Sequence, residues 1–142
     1  MTELIMTHDN ADFDAVAAEL AAHKLMPGSL PVLPQRANRN VRHFMALYWD
    51  ELPFVPFKDL SKDPVDRIMI VDTQTLQTPR GMHEGTSVVV VDHHAQREGL
   101  DPSWQVTIEE TGAVTTALVE RIRQEYLPLT GVEATLLLLG IY

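Results

Sequence analysis

An aspartate and two adjacent histidines, Asp92-His93-His94, stand at the end of an unbroken valine run over residues 88–91. A second apolar run, 68–71, ends on Asp72, and a third, 4–6, leads through Thr7 into His8-Asp9-Asn10-Ala11-Asp12-Phe13-Asp14. Such runs, bounded by polar residues, read as buried parallel strands, and open α/β sheets hold their ligands at the carboxyl ends of strands. Five aspartates and three histidines would thus be released toward one edge. Carboxylates gathered that closely cannot all stay ionised unless a cation compensates them. Histidine and aspartate without thiolate suit Mn²⁺ better than the all-oxygen sites of Mg²⁺ or Ca²⁺, with Zn²⁺, Fe²⁺ and Co²⁺ also compatible. There are ligands enough for two ions roughly 3.5 to 4 Å apart, an arrangement that activates water for in-line attack on phosphorus and neutralises the developing charge. The chemistry indicated is phosphoester hydrolysis.

The elements that must position these residues alternate along the chain. Strands are expected at 4–6, 30–33, 68–71 and 88–91, with an alternating stretch at 104–108. Residues 54–57, broken by Pro53 and Pro56, form an edge strand or none. Helices are expected from Asp12 to about His23, ended by Pro27-Gly28, from Asn38 to about Asp50, and from Gly112 to about Tyr126. A last helix starts at Gly131 with Thr130 as cap. Alternation of strand and helix implies an α/β fold with a mainly parallel sheet, right-handed crossovers and helices on both faces.

Length and composition bound the rest. A chain of 142 residues suffices for one domain with a real core. The absence of cysteine excludes disulfides, thiolate metal sites and a cysteine nucleophile, and fits a reducing, cytoplasmic setting. No apolar run approaches the ~20 residues of a membrane helix, so no membrane partner is expected. A net charge of −9 argues against an unaided duplex-binding surface, though not against a local basic patch.

The order His8-x-Asn10-x-Asp12-x-Asp14, Asp72, Asp92-His93-His94, then Gly112-Ala113-Val114-Thr115-Thr116 resembles the four successive motifs of the DHH phosphoesterase superfamily, over nearly the whole chain. Residues 7–14, 38–42, 71–74 and 136–142 most resemble a subgroup in which a DHH module precedes paired CBS domains and a poly(A) polymerase or tRNA nucleotidyltransferase-like domain. The resemblance implies that His8 and Asp12 ligate one metal, Asp14 and His93 a second, and that Asp72 bridges them. It also implies that His94 meets the scissile phosphate while Asp92 orients the histidine pair. It implies manganese, two ions in a complete domain, with Mg²⁺ or Co²⁺ possible. Ala11 stands where many members carry proline. The superfamily supplies a further aspartate just beyond the segment matched by 139–142, so residues 1–142 are expected to be an N-terminal fragment, incomplete at its carboxyl end. The substrate lobe, CBS pair and nucleotidyltransferase domain would follow.

Ordinary structural roles compete for several of these residues. Asn10 and Asp12 fit helix caps, and Asp72 and Asp92 could begin turns. Gly112 could serve close packing or leave helix-opening N–H groups for a phosphate. Arg36, Arg39 and Arg42 suit a solvated helix face, with substrate phosphate or interdomain contact as the alternative. His23, His43 and His83 read as surface residues. The substrate-side set expected is Asn10, Gly112, Thr115, Arg39 and His94, and the substrate a nucleotide or the end of a single-stranded nucleic acid. A regulatory or RNA-positioning module and a manganese-dependent inorganic pyrophosphatase are the competing functions. The apolar stretch 136–142 is expected to be uncovered and to favour homo-oligomers.

Overall fold

Six parallel strands in the order β3-β2-β1-β4-β5-β6 form the centre of the computed structural model, which describes residues 1–142. The strands are β1 (Glu3–Met6), β2 (Leu30–Leu33), β3 (Val55–Pro56), β4 (Arg67–Val71), β5 (Ser87–Asp92) and β6 (Gln105–Ile108). The helices are α1 (Phe13–Leu25), α2 (Arg39–Tyr48), α3 (Val114–Gln124) and α4 (Gly131–Ile141). The chain runs outward from β1 through β2 to β3, then returns to the other side of β1 for β4, β5 and β6. Strand order therefore reverses between β1 and β4, which pair in register from Glu3↔Arg67 to Met6↔Ile70. A crevice opens at such a switch point, beyond the carboxyl ends of the strands.

The two faces of the sheet are covered differently. Alternation along the strands turns Ile5, Val71 and Val91 toward a core shared with all four helices. Leu4, Met6, Val32, Ile68, Ile70, Val88 and Val90 face the opposite way. There they meet Leu60, Val65, Leu76, Met82 and Trp104 rather than a helix. Right-handed crossovers running in opposite directions from the switch point must pass on opposite faces. The β4–β5 connection, interrupted by Pro79 and Gly81, cannot propagate a helix there. The expected parallel α/β architecture is present, but its helical layer lies on one face and irregular segments cover the other.

α1 is the axis of the helical layer. Every residue from Ala15 to Ala22 is buried, Glu19 included, because the alanine-rich sequence lets the sheet, α3 and α4 approach it from different sides. Gly140 marks the closest approach: a Cβ there would lie 2.4 Å from the Ala17 Cβ and 2.9 Å from the Thr115 hydroxyl. α4 opens with a full capping box, Thr130 and Glu133 exchanging side-chain to backbone hydrogen bonds. Only part of the expected uncovered stretch is exposed. Leu136, Leu137 and Gly140 pack inward, whereas Leu138, Leu139, Ile141 and Tyr142 face outward. No helix is long and apolar enough to cross a membrane.

Candidate metal centre

The switch point gathers the chemistry-bearing residues because three strands end there in register. Thr7, buried just after β1, donates its hydroxyl to the carbonyl of Val71 at 2.7 Å and so ties the end of β1 to the end of β4. His8 follows, its Nδ1–H donating to the Asp9 carbonyl at 2.7 Å, which turns Nε2 toward Asp72. Asn10 takes a left-handed backbone, φ 58°, to turn the chain into α1. Asp12 caps α1 with Oδ1, which accepts the Ala15 N–H at 2.9 Å, and its other oxygen is left to the cleft. Asp72 also adopts positive φ, 60°, a conformation aspartate tolerates better than most residues, while its N–H still pairs with the Val91 carbonyl. His93 donates Nδ1–H to the Thr111 carbonyl at 3.2 Å and turns Nε2 toward Asp72 and Asp14.

Asp72 is the centre of the arrangement. Its Oδ2 lies 3.6 Å from His8 Nε2 and its Oδ1 lies 3.1 Å from His93 Nε2. The same His93 nitrogen is 3.7 Å from Asp14 Oδ2. Ligand atoms roughly 2.0–2.3 Å from one ion stand about 3–3.7 Å apart at octahedral to tetrahedral angles, so these separations suit a shared cation. A second sign is that Asp72 Oδ1 is buried without a hydrogen-bond partner. With both histidine Nδ1 protons committed to carbonyls, the two Nε2 atoms face the Asp72 carboxylate, one of whose oxygens is unpartnered. A buried carboxylate calls for a positive charge beside it, supplied in the metal-free protein by the proton that His8 retains and otherwise by a bound cation.

Two groups of donors emerge, His8-Asp12-Asp72 and Asp72-Asp92-His93-His94, each with its atoms within 4.8 Å of one another. In the second group Asp92 is already engaged. Its oxygens accept from His94 Nδ1–H and Gln74 Nε2–H, each at 2.9 Å. Asp14, whose own oxygens accept from Val114 and Thr115, also faces His93 Nε2, at 3.7 Å, from outside that group. All of these side chains except Asp92 line one open cleft of about 670 Å³, together with Asn38, Gly112 and the end of α4.

The electrostatics follow from burial and neighbours. The Asp72 carboxylate beside His8 raises that imidazole to about 9, against a partial opposing effect of burial. Burial pushes the Asp14 carboxyl up, and the Asp72 charge adds to this, while hydrogen bonds from Thr115 and Val114 partly offset it. Burial would also raise Asp92, but hydrogen bonds from Gln74, His94 and the His93 backbone outweigh it and hold the carboxyl below its usual range. Asp92 is thus an anion that fixes the His94 ring. The His94 side chain, 63% exposed, presents Nε2 outward.

The substrate-side expectations divide. Gly112 lines the cleft, Asn10 is exposed at the turn, and Arg39 is exposed at the start of α2. Thr115 does not face a substrate. It is wholly buried, and its N–H and hydroxyl both donate to Asp14 Oδ1, at 3.0 and 2.8 Å. The Val114 N–H also donates to Asp14, at 3.2 Å, and α3 begins at Val114 rather than Gly112. The opening amides of α3 that were candidates for a phosphate therefore hold Asp14. Sequence reasoning also missed Gln74, buried beneath Asp92, which bonds Asp92, the Ala95 carbonyl and the Arg97 N–H at once. A glutamine two residues after a strand-end aspartate was visible, but nothing local said which way it points. His23, read as a surface residue, is half-buried and donates to the Ser29 carbonyl.

The model of the DHH family, N-terminal domain, matches residues 3–141. An A-adding tRNA nucleotidyltransferase of Geobacter sulfurreducens is 35% identical over 147 aligned residues, covering 99% of this chain. A protein of the same name from Aquifex aeolicus is 27% identical over 140 residues, again covering 99% of the chain. The chain spans only 17% and 16% of the length of these two relatives.

Proposed function

Because this chain belongs to the DHH family, a phosphoesterase superfamily, we propose that it hydrolyses a phosphoester of a nucleotide or of a single-stranded nucleic acid end. Divalent ions would be held by His8 and Asp12 on one side and Asp14 and His93 on the other, with Asp72 serving both. The observation that carries the reading is the Asp72 carboxylate set between the Nε2 atoms of His8 and His93, with one oxygen buried and unpartnered. Bound ions supply charge that offsets the phosphoryl group and lower the pKa of water. The donor set, mixed imidazole and carboxylate without thiolate, favours Mn²⁺, with Co²⁺ and Mg²⁺ as weaker alternatives.

The chain's own residues do the positioning. Asp92 holds the Nδ1–H of His94, so that Nε2 is directed to the open cleft, within reach of a phosphoryl oxygen. α3 holds Asp14 through two amides and a hydroxyl, which fixes the carboxylate facing His93 before any ligand arrives. Release of nucleotide from a short single strand with Mn²⁺, measured beside Mn²⁺ titration calorimetry, tests the reading. Asp72→Ala should lose both metal affinity and turnover, whereas His94→Ala should keep metal affinity and lose turnover. Equal loss of metal affinity in both would refute the roles. Inorganic pyrophosphate, run as a parallel substrate, should be hydrolysed poorly.

The names of the relatives favour a second reading, a module that positions or monitors an RNA end for a nucleotidyltransferase. RNA binding with metal bound and no turnover on any phosphoester would select it.

A further inference from the structure

Most basic side chains of this protein have partners or stand alone, but one segment concentrates them. Arg36, Arg39 and Arg42 fall within seven residues, with His43 beside them, and no acidic residue occurs between Gln35 and Trp49. This occurs in a chain with 20 acidic against 11 basic residues. All three arginines are exposed, and none takes part in an ion pair or a side-chain hydrogen bond. By contrast, Lys24 pairs with Glu133 and Arg121 with Glu109. The orientation of α2 is fixed, because Val41, Phe44 and Met45 are buried in the core. Arg39, Arg42 and His43 are therefore displayed on one outward stripe at helical spacing.

The segment is also locked to the metal centre. The Ala11 N–H donates to the Arg36 carbonyl at 3.3 Å, and the Asn38 N–H donates to the Ala11 carbonyl at 3.0 Å. Ala11 lies between Asn10 and Asp12 in the first ligand loop, and Asn38 lines the same cleft as His8, Asp12 and Asp72. The segment that carries the arginines accordingly borders, through Asn38, a cleft floored by carboxylates. That floor repels any polyanion not bound to the metal, and a local positive rim offsets the repulsion. Three cations spread over the lead-in and first turn of a helix exceed what one phosphate can use.

We propose that Arg36, Arg39 and Arg42 form a phosphate track that leads a single-stranded nucleic acid into the cleft. The preferred substrate is then the end of an oligonucleotide and not a free mononucleotide. This rests on the phosphoester reading of the cleft but concerns a different surface. A single strand fits better than a duplex, whose two backbones would meet the acidic remainder of the chain.

The test is fluorescence anisotropy of a labelled hexanucleotide and a labelled dinucleotide on this chain in EDTA, where no turnover occurs. Wild type is compared with the triple variant Arg36→Gln, Arg39→Gln, Arg42→Gln. A control of equal charge carries Lys62→Gln, Arg80→Gln and Arg123→Gln, all exposed positions outside the cleft lining. Circular dichroism should show all three folded, since the exchanged side chains are exposed. Wild type should bind the hexanucleotide more tightly than the dinucleotide. The track variant should lose at least tenfold in hexanucleotide affinity, and its logarithmic salt slope should fall by about 2, from roughly 0.7 per phosphate contact on a single strand. The control should stay within twofold of wild type. Unchanged affinity and slope in the track variant, as expected if the arginines dock another protein surface, would overturn the proposal, as would an equal loss in the control. Because no metal or turnover enters the measurement, a catalytically silent protein that still shows the arginine-dependent loss upholds the track while the phosphoester reading fails.

Discussion

Thr115→Val removes one hydroxyl from a side chain that is fully buried and never meets solvent, yet its effect should be read at the metal centre. The hydroxyl lies 2.8 Å from Asp14 Oδ1 and is one of three donors to that carboxylate, the others being the Thr115 and Val114 amides at 3.0 and 3.2 Å. Valine keeps the branched shape, so packing against α1 is retained, whereas the charge-assisted bond, worth about 1.5–3 kcal/mol, is lost. Burial already pushes the Asp14 carboxyl up and Thr115 opposes that shift, so the variant carboxyl should rise further and hold a metal less well. Loss of an outer partner of a ligand typically lowers metal affinity about 10- to 100-fold, which corresponds to roughly 1.4–2.8 kcal/mol. Mn²⁺ titration calorimetry on wild type, Thr115→Val and Thr115→Ser measures it directly. The serine variant keeps the hydroxyl and should lie close to wild type. Wild-type affinity in the valine variant, or an equal loss in both, would refute the assignment of Thr115 as the residue that positions Asp14.

Glu19 is wholly buried with both carboxyl oxygens unpartnered, and burial pushes its carboxyl well above the model-peptide value of 4.5. The unfolded chain binds fewer protons than the folded one above that value. Its contribution to stability therefore falls as pH rises, by up to about 1.4 kcal/mol per unit until the folded group ionises. Glu19→Met should raise the unfolding free energy by about 1–3 kcal/mol from the removed polar group alone, read as a higher urea midpoint, with the gain over wild type growing with pH. A pH-independent difference would count against the linkage. Gly140→Ala should cost about 1–3 kcal/mol through overpacking against Ala17 and Thr115, and adding Ala17→Gly should recover part of it; thermal melts of the single and double variants decide. His8, raised to about 9 by Asp72, carries a proton at neutral pH that a metal must displace. Calorimetry in buffers of different ionisation enthalpy should show proton release, and apparent Mn²⁺ affinity should rise with pH until about 9. In the metal-free chain the same pair stabilises most below 6.5 and is lost as pH passes about 9.

The valine and isoleucine runs, each closing on an acid, determined from sequence alone that strands deliver Asp72 and Asp92 to one edge. A buried strand reveals itself by an apolar run, and a chain emerging from the sheet must change to polar residues. Asp12 and Thr130 were legible as caps for a similar reason, because an unpaired helical N–H is satisfied within three residues of sequence. Strand order was not so legible. Pairing between β1 and β4 joins residues more than sixty positions apart, and only that pairing puts His8 on Asp72. The same holds for the helices. Local pattern placed four of them, but their shared face depends on crossover direction from the switch point and on Pro79 and Gly81 interrupting the return path. Thr115 shows the limit most clearly. Its type and position at the start of α3 suited a phosphate equally well. What assigns its hydroxyl and amide to Asp14 is the packing of α3 on α1, a contact across about a hundred residues that burial energy, and no local preference, selects.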